Sequence, residues 1–283
     1  MLRKLLKYDM AAVWKSALAI SIASLISAVT GGVALVLTEL TNDLETPLGK
    51  MLHTVSGIVV ILSFMTMIFA CAAIGIIVLE RFYKNLFTDE GYLTFTLPVT
   101  RGQIIGAKTI NSMLWLIYDF LLATVSGILT ALSYGITGTI TGLVTDSVPN
   151  PPEDNLVTFG GWGIGYIIII AVLVLVCLYY STTILQFCVT LGSVLAKKAR
   201  ILAIIGIYYL INAILSLIGQ TIMAGVVIIF GEGIVDLLST LSTDGMHLAV
   251  YGVLIFGILV FGGLGFFFQS MTVKTLDNKL NLP

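Results

Sequence analysis

Six long runs of apolar residues, separated by short polar segments, dominate the pattern of this chain. Each run reaches the length of about 20 residues that a helix needs to cross the hydrocarbon core of a bilayer. Because backbone polar groups must be paired in lipid, such runs are predicted to be helices. The predicted spans are roughly Ala17–Leu37, Leu52–Leu79, Thr109–Gly135, Trp162–Leu191, Ile201–Phe230 and Leu248–Ser270.

The composition supports a membrane protein. Hydrophobic residues make up 58% of the 283 residues and charged residues only 10%, and the mean hydropathy is +1.07. A soluble domain carries about a quarter of its residues as charged side chains. We therefore predict an all-α integral membrane fold in which residues 16–283 form a single six-span domain.

The basic residues predict the orientation. Of the 14 Lys and Arg residues, all but Lys50 lie before the first span, between spans two and three, between spans four and five, or after span six. The positive-inside rule places that side in the cytoplasm. Both termini are therefore predicted to be cytoplasmic.

Residues 1–15 have the pattern of an amphipathic helix that lies on the inner membrane surface. The side chains of one face are apolar: Leu2, Leu5, Leu6, Met10, Val13 and Trp14. The opposite face carries Lys4, Lys7, Tyr8 and Lys15, and only Asp9 does not fit. A simple basic anchor that fixes the topology explains the same residues, and the pattern does not separate the two.

The predicted loop of residues 80–108 is rich in aromatic and charged side chains, which is typical of a folded segment that presses against another surface. Pro98 ends any helix before it, and Thr100 with Gln103 forms a capping box that starts the next helix. This layout suits the transfer of motion from a cytosolic partner into two spans. The alternative is a loop that packs only on its own protein.

The chain shows no pattern that predicts catalysis or a metal site. The three cysteines lie inside apolar runs, and the two histidines are far apart in sequence. Residues 102–109 come close to the phosphate-binding pattern G-x-x-x-x-G-K-[ST], but Ala107 replaces the second glycine and no strand precedes the segment. We therefore expect neither an ATPase nor another enzyme in this chain.

Polar side chains recur along one face of the third span at helical spacing: Ser112, Trp115, Asp119 and Ser126. A carboxylate near the bilayer centre costs about 3 kcal/mol, so Asp119 is predicted to face protein or water. This stripe lines a substrate path or forms hydrogen bonds between helices. Between spans five and six, Ile234–Leu241 is a candidate short helix that dips into the outer leaflet.

The loop also carries a resemblance. Its residues 80–86 (ERFYKNL), 89–93 (DEGYL) and 97–99 (LPV), together with Lys108 and the start of the chain, MLRKLLKYD, resemble bacterial ABC type-2 transporter permeases, particularly those of Firmicutes. The six-span layout extends the resemblance to the whole chain. It implies a permease subunit of an exporter in the bacterial cytoplasmic membrane.

By this resemblance the N-terminal helix and a coupling helix in the loop dock onto a separate cytosolic ATPase, which holds ATP and Mg. The docking residues it implies are Glu80, Arg81, Tyr83, Lys84, Phe87, Asp89, Glu90 and Tyr92. It further implies a second permease subunit, identical or related, and a cargo such as an antimicrobial peptide, a drug or a lipid-like amphiphile. The competing hypotheses are an ion- or proton-coupled secondary transporter that uses Asp119, an intramembrane enzyme, and a membrane partner without transport activity.

Overall fold

A computed structural model describes residues 2–42, 46–88, 91, 100–144, 161–196 and 199–279 of the chain. In these ranges the chain forms six α-helices. They are α1 (Leu2–Thr41), α2 (Pro47–Phe87), α3 (Arg101–Val144), α4 (Gly161–Leu195), α5 (Arg200–Thr240) and α6 (Thr243–Lys279).

All six helices are long and apolar enough to cross a membrane, which confirms the predicted number and order of such helices within the described ranges. They have between 35 and 44 residues, which corresponds to a length of about 50 to 65 Å. Because the hydrocarbon core is about 30 Å thick, the helices are long enough to project well beyond it.

The helix starts follow from local capping. The Thr46 hydroxyl accepts a hydrogen bond from the Gly49 N–H at 3.1 Å, and proline at position 47 suits the first turn because it lacks an N–H. At α3 the predicted capping box is confirmed. The Gln103 N–H donates to the Thr100 hydroxyl at 3.4 Å, and the Thr100 N–H donates to the Gln103 Oε1 at 3.3 Å.

The ends of the predicted loop 80–108 are helical, and the helix at its second end starts where the capping box at Thr100 predicts. Residues 80–87 continue α2 and residues 101–108 already belong to α3. The helix continues past the apolar run because Phe82 and Leu86 are buried and sustain its packing. Gly91 is helical and belongs to none of the six helices, but residues 89–90 and 92–99 lie outside the described residues, so the coupling helix stays a prediction.

Two other predicted segments are parts of longer helices. Residues 2–15 form the first turns of α1, with no boundary between residues 15 and 16. Asp9, which did not fit the predicted amphipathic pattern, is buried, whereas Met10 and Trp14 are exposed. The candidate short helix at Ile234–Leu241 is instead the end of α5, which runs without a break to Thr240.

The chain divides into two compact units. The first unit contains residues 3–80 and 114–158. Its hydrophobic core joins three helices, because Val13 and Ala17 of α1 pack with Val78 of α2 and Trp115 of α3. This core holds the part of α3 that carries Asp119.

The second unit contains residues 81–113 and 159–283. Here α4 packs against both α5 and α6. Its core cluster centres on Ile184 and Cys188 of α4 with Phe268 of α6, and the inner face of α5 packs onto it. The end of α2 and the start of α3 belong to this unit, so the helix ends on both sides of the segment 89–99 lie in one compact unit.

Candidate functional site

The last turns of α2, within the second unit, have an inner and an outer face. Phe82 and Leu86 are buried, while Lys84 and Thr88 are exposed. Tyr83 and Phe87 are partly buried, and their rings stack with centroids 6.1 Å apart. The end of α2 therefore packs along one side on its own protein, and its other side is exposed.

Arg200, the first residue of α5, binds the end of α2. Its Nη1 donates to the Tyr83 hydroxyl at 3.4 Å and to the Phe87 carbonyl oxygen at 3.4 Å. A carbonyl in the last turn of a helix has no partner within the helix, so a guanidinium there acts as a C-cap. We call this contact the Arg200 clasp.

A second arginine makes an equivalent contact at the start of α3. The Nη1 of Arg101 donates to the Leu276 carbonyl oxygen of α6 at 2.6 Å and lies 3.4 Å from the Asp277 carboxylate. Ile104 and Ile105 of α3 and Leu276 are fully buried beside it. We call this contact the Arg101 clasp.

The two clasps lie on either side of residues 88–100. The Arg200 clasp joins the helix that precedes this segment to α5, and the Arg101 clasp joins the helix that follows it to α6. Hydrogen bonds from charged groups are stronger than those between neutral groups. Arg200 and Arg101 thus connect the helices on both sides of the segment to α5 and α6.

The residues predicted to dock onto an ATPase divide into four groups. Glu80 and Lys84 are exposed, whereas Tyr83 and Phe87 bind Arg200 and so contact their own protein. Arg81 is partly buried, and its Nε makes no hydrogen bond to any residue that the structure describes. Asp89, Glu90 and Tyr92 lie outside the described residues.

The polar stripe of α3 separates into two local networks. In the first unit, Ser126 is fully buried and its hydroxyl lies 3.4 Å from that of Ser24 on α1. Between them and Trp115 along the helix, the Tyr118 hydroxyl bonds that of Ser21 at 2.6 Å. These contacts favour the interpretation of the stripe as hydrogen bonding between helices.

Ser112 belongs to the second unit. Its hydroxyl accepts a hydrogen bond from Nε2 of Gln186 on α4 at 3.4 Å, and the Thr109 hydroxyl donates to Oε1 of the same amide at 2.8 Å. All three side chains are buried. Gln186 therefore ties α4 to α3.

Asp119 is the member of the stripe whose role stays open. Its side chain is half-buried, the Cys71 thiol of α2 lies within hydrogen-bonding reach, and the carboxylate oxygen Oδ1 is buried without a hydrogen bond to any described residue. The Trp115 Nε1, one turn away, is likewise buried without a described partner. Leaving a buried acceptor and a buried donor without partners costs free energy. Packing alone therefore does not explain the polar side chains in this turn of α3.

Sequence reasoning missed the two residues that organise the second unit. Arg200 entered the prediction only as one of the basic residues that set topology, and no local pattern in the sequence points to its contact with α2. Gln186 is an amide inside a predicted span, near its end, and a polar residue there signals contact with another helix.

The segment that resembles a phosphate-binding loop is helical. Residues 102–109 form the first turns of α3, and Lys108 is buried. Its backbone N–H groups from the second turn onward are used within the helix. In a phosphate-binding loop such groups point at the ligand instead.

An aromatic cluster joins the other ends of α4 and α6. Trp162 stacks on His247 and donates from Nε1 to Asp244 at 3.2 Å, and the Tyr166 hydroxyl lies 2.8 Å from His247 Nδ1. Tyr251 stacks on Tyr166 with centroids 4.6 Å apart and donates to the Trp162 carbonyl oxygen at 3.0 Å. Tryptophan and tyrosine are typical of the membrane interface, and this cluster lies at the ends of two helices that are long enough to cross a membrane.

The comparisons with known proteins give no family: no family model matches the chain, and no curated protein or solved structure matches it either.

Proposed function

We propose that this chain is the membrane-spanning permease subunit of an ATP-binding-cassette exporter. A separate cytosolic ATPase subunit binds ATP and Mg, and two permease subunits carry an amphiphilic substrate outward by alternating access. The chain lies in a bacterial cytoplasmic membrane with both termini inside. It carries no catalytic residues of its own.

The observation that carries the proposal is the pair of arginine clasps. A permease driven from outside the membrane needs a segment that a partner can push and stiff connections from that segment into the spans. Residues 88–100 sit between Phe87 and Arg101, and both of these neighbours are bonded to further spans, α5 and α6. One displacement at this segment would therefore reach four helices together.

The docking surface of the proposal is the exposed side of the same region. Lys84 and Thr88 are exposed on the outer face of α2, opposite the buried Phe82 and Leu86. Asp89, Glu90 and Tyr92 follow directly in the sequence, so this stretch of the chain has a mixed-charge, aromatic composition. Such a composition fits a specific protein partner, since aromatic residues dominate binding energy at interfaces.

The test is purification of the tagged chain from detergent-solubilised native membranes, with mass spectrometry of the proteins that accompany it. We expect a P-loop ATPase, and we expect Lys84→Glu and Tyr92→Ala to reduce its recovery. Lys274→Ala serves as the control, because Lys274 is an exposed basic residue on α6. Inside-out vesicles should then accumulate amphiphilic dyes only with ATP. A chain that purifies without an ATPase, in vesicles that ATP does not energise, contradicts the proposal.

Asp119 supports a second candidate, an ion- or proton-coupled secondary transporter. Its buried Oδ1 without a described partner is what a carrier of a cation or proton would present. The variant Asp119→Asn separates the two functions, because it keeps the size and polarity of the side chain and removes its charge. ATP-driven transport that survives this substitution argues for the exporter, whereas transport that requires an ion gradient and is lost in Asp119→Asn argues for the secondary transporter.

A further inference from the structure

A cavity lies in the first unit, between α1 and α2. The two helices touch at Thr38, whose hydroxyl donates to the Ser56 hydroxyl at 2.8 Å. They touch again at Gly31, where an added Cβ would lie 2.8 Å from the Ser63 Cβ. Beside these contacts the helices enclose a cavity of about 320 Å³. This volume falls within the range of small-ligand sites in proteins, about 300 to 1,000 Å³.

The lining of the cavity is aliphatic. Among the described residues that line it, none is charged or aromatic. Ala34 and Ser56 are buried and form its floor. The walls are about half exposed and consist of Val29, Val33 and Leu37 of α1 with Leu52 and Val55 of α2. Because both helices are long and apolar enough to cross a membrane, the cavity opens toward the hydrocarbon of the bilayer.

The dimensions of the cavity match a single hydrocarbon chain. Thr30 and Thr41 both line it and are eleven positions apart on α1, which is about 16 Å along a helix. One leaflet contributes about 15 Å to the hydrocarbon core. The volume divided by this length gives a mean cross-section of about 20 Å². One chain fills such a section, since apolar carbon atoms contact each other at about 4 to 4.5 Å.

Water does not suit this cavity. The lining hydroxyls of Thr30, Thr41 and Ser56 already donate to carbonyl oxygens of their own helices at 2.7 to 3.0 Å. A buried water needs two to four hydrogen bonds to polar groups that otherwise lack partners. A gap between packed side chains forfeits the dispersion contacts of its lining, and a hydrocarbon chain restores them without any hydrogen bond.

We propose that the cavity between α1 and α2 binds one acyl chain of a membrane phospholipid, which stays with the protein as part of the packed first unit. A phospholipid is the hydrocarbon that the open side of the cavity meets throughout a bilayer. The site requires only α1 and α2, so it does not depend on the proposed function.

Photo-crosslinking of the full wild-type chain tests the site. The chain is reconstituted in liposomes of phosphatidylethanolamine and phosphatidylglycerol, in which a small fraction of the phosphatidylglycerol carries a diazirine midway along one acyl chain. Mass spectrometry of peptides after irradiation locates the label. We expect residues 29–41 and 52–59 to be labelled well above Ile201, Leu202 and Ile205 of α5, which are at least as exposed. Equal labelling of the two regions is general contact with lipid and overturns the site.

Substitutions that fill the cavity give a second test. Ala34→Phe fills it from the floor, and Val55→Phe fills it from the wall of α2 without disturbing the contact at Gly31. Each should lower the labelling of residues 29–41 and 52–59 to the level of α5. Ala23→Phe is the matched control and should leave the labelling unchanged, because Ala23 is exposed on the same helix and does not line the cavity. Undiminished labelling in Val55→Phe overturns the site.

Native mass spectrometry of the chain purified from native membranes identifies the occupant. We expect the mass of one phospholipid to remain on the wild-type chain and on Ala23→Phe after detergent has removed the other lipids, and to be lost from Val55→Phe. A wild-type chain without bound lipid overturns the site. A retained amphiphile that is not a phospholipid overturns the assignment to a membrane lipid.

Discussion

The Nη1 of Arg200 lies 3.4 Å from the carbonyl oxygen of Phe87, so the first residue of α5 caps the last turn of α2. The two residues are 113 positions apart in the chain. Because the guanidinium also bonds the Tyr83 hydroxyl, it holds two successive positions on one side of α2. The direction of the last turn, and hence of the segment that follows, depends on this arginine.

Arg200→Ala should loosen the end of α2. The lost hydrogen bonds contribute about 1 kcal/mol, so amide exchange in residues 84–88 should rise about 5-fold or more. Hydrogen exchange with mass spectrometry measures this directly. Arg200→Lys should have an intermediate effect, because an ammonium keeps the charge but not the planar fork of donors.

The control for this prediction is Lys274→Ala, an exposed basic residue whose loss should leave exchange at residues 84–88 unchanged. If Arg200→Ala also leaves it unchanged, the Arg200 clasp does not hold α2, and the mechanical argument for coupling to α5 fails with it.

The Arg101 clasp should depend more on the carbonyl of Leu276 than on the carboxylate of Asp277. The carbonyl contact is 2.6 Å, while the ion pair is 3.4 Å long and the Asp277 side chain is 54% exposed. Exposed ion pairs contribute less than about 1 kcal/mol. Arg101→Ala should therefore lower the apparent melting temperature clearly and Asp277→Asn hardly at all, as measured by thermal unfolding in detergent.

High salt gives a second measure of the same contact. An ion pair at the surface is screened by salt, whereas a hydrogen bond to a backbone carbonyl at the end of α6 is affected less. If Asp277→Asn destabilises the protein as much as Arg101→Ala, the ion pair is the main contact and this assignment is wrong.

The spans were predictable from sequence because a long apolar segment in lipid must pair its backbone polar groups internally, and a helix does so. The start of α3 was predictable because Thr100 and Gln103 cap it through local contacts. The end of α2 was not predictable in this way. The helix continues beyond the apolar run because residues such as Leu86 are buried in a core. That core comes from residues far away in the chain.

The residue types of the candidate site could be predicted from the sequence, but the contacts between its residues could not. The sequence marks residues 80–108 as unusual, yet it does not show that Tyr83 and Phe87 turn inward to Arg200 while Lys84 stays outside. Likewise the period of the stripe in α3 is visible in sequence. The assignment of Ser112 to Gln186 and of Ser126 to Ser24 depends on which helices become neighbours.

In the first unit, Gly31→Ala should destabilise the contact between α1 and α2. A Cβ at Gly31 would lie 2.8 Å from the Ser63 Cβ, so one helix must move. Overpacking of this kind costs about 1 to 3 kcal/mol. Gly57→Ala on α2 is the matched control, because nothing lies within 4 Å of its added Cβ. In thermal unfolding, Gly31→Ala should therefore have a lower melting temperature than Gly57→Ala. Equal melting temperatures would show that α1 and α2 are further apart at this point.

The contact between Gly165 and Tyr251 gives a prediction for the aromatic cluster. A Cβ at Gly165 would collide with the Tyr251 hydroxyl, which donates to the Trp162 carbonyl oxygen at 3.0 Å. Gly165→Ala should therefore displace the tyrosine ring from Tyr166 and increase amide exchange at the start of α4. Gly252→Ala, whose added Cβ meets nothing within 4 Å, should not.

A double variant distinguishes this collision from a general effect of alanine on the helix. Tyr251→Phe removes the hydroxyl that the new Cβ would strike, so Gly165→Ala combined with Tyr251→Phe should exchange more slowly than Gly165→Ala alone. The single variant Tyr251→Phe loses one hydrogen bond, worth about 1 kcal/mol, and keeps the ring stacked on Tyr166. If the change in amide exchange of the double variant instead equals the sum of the changes in the two single variants, the two residues do not interact. In that case α4 and α6 are not in contact at this turn.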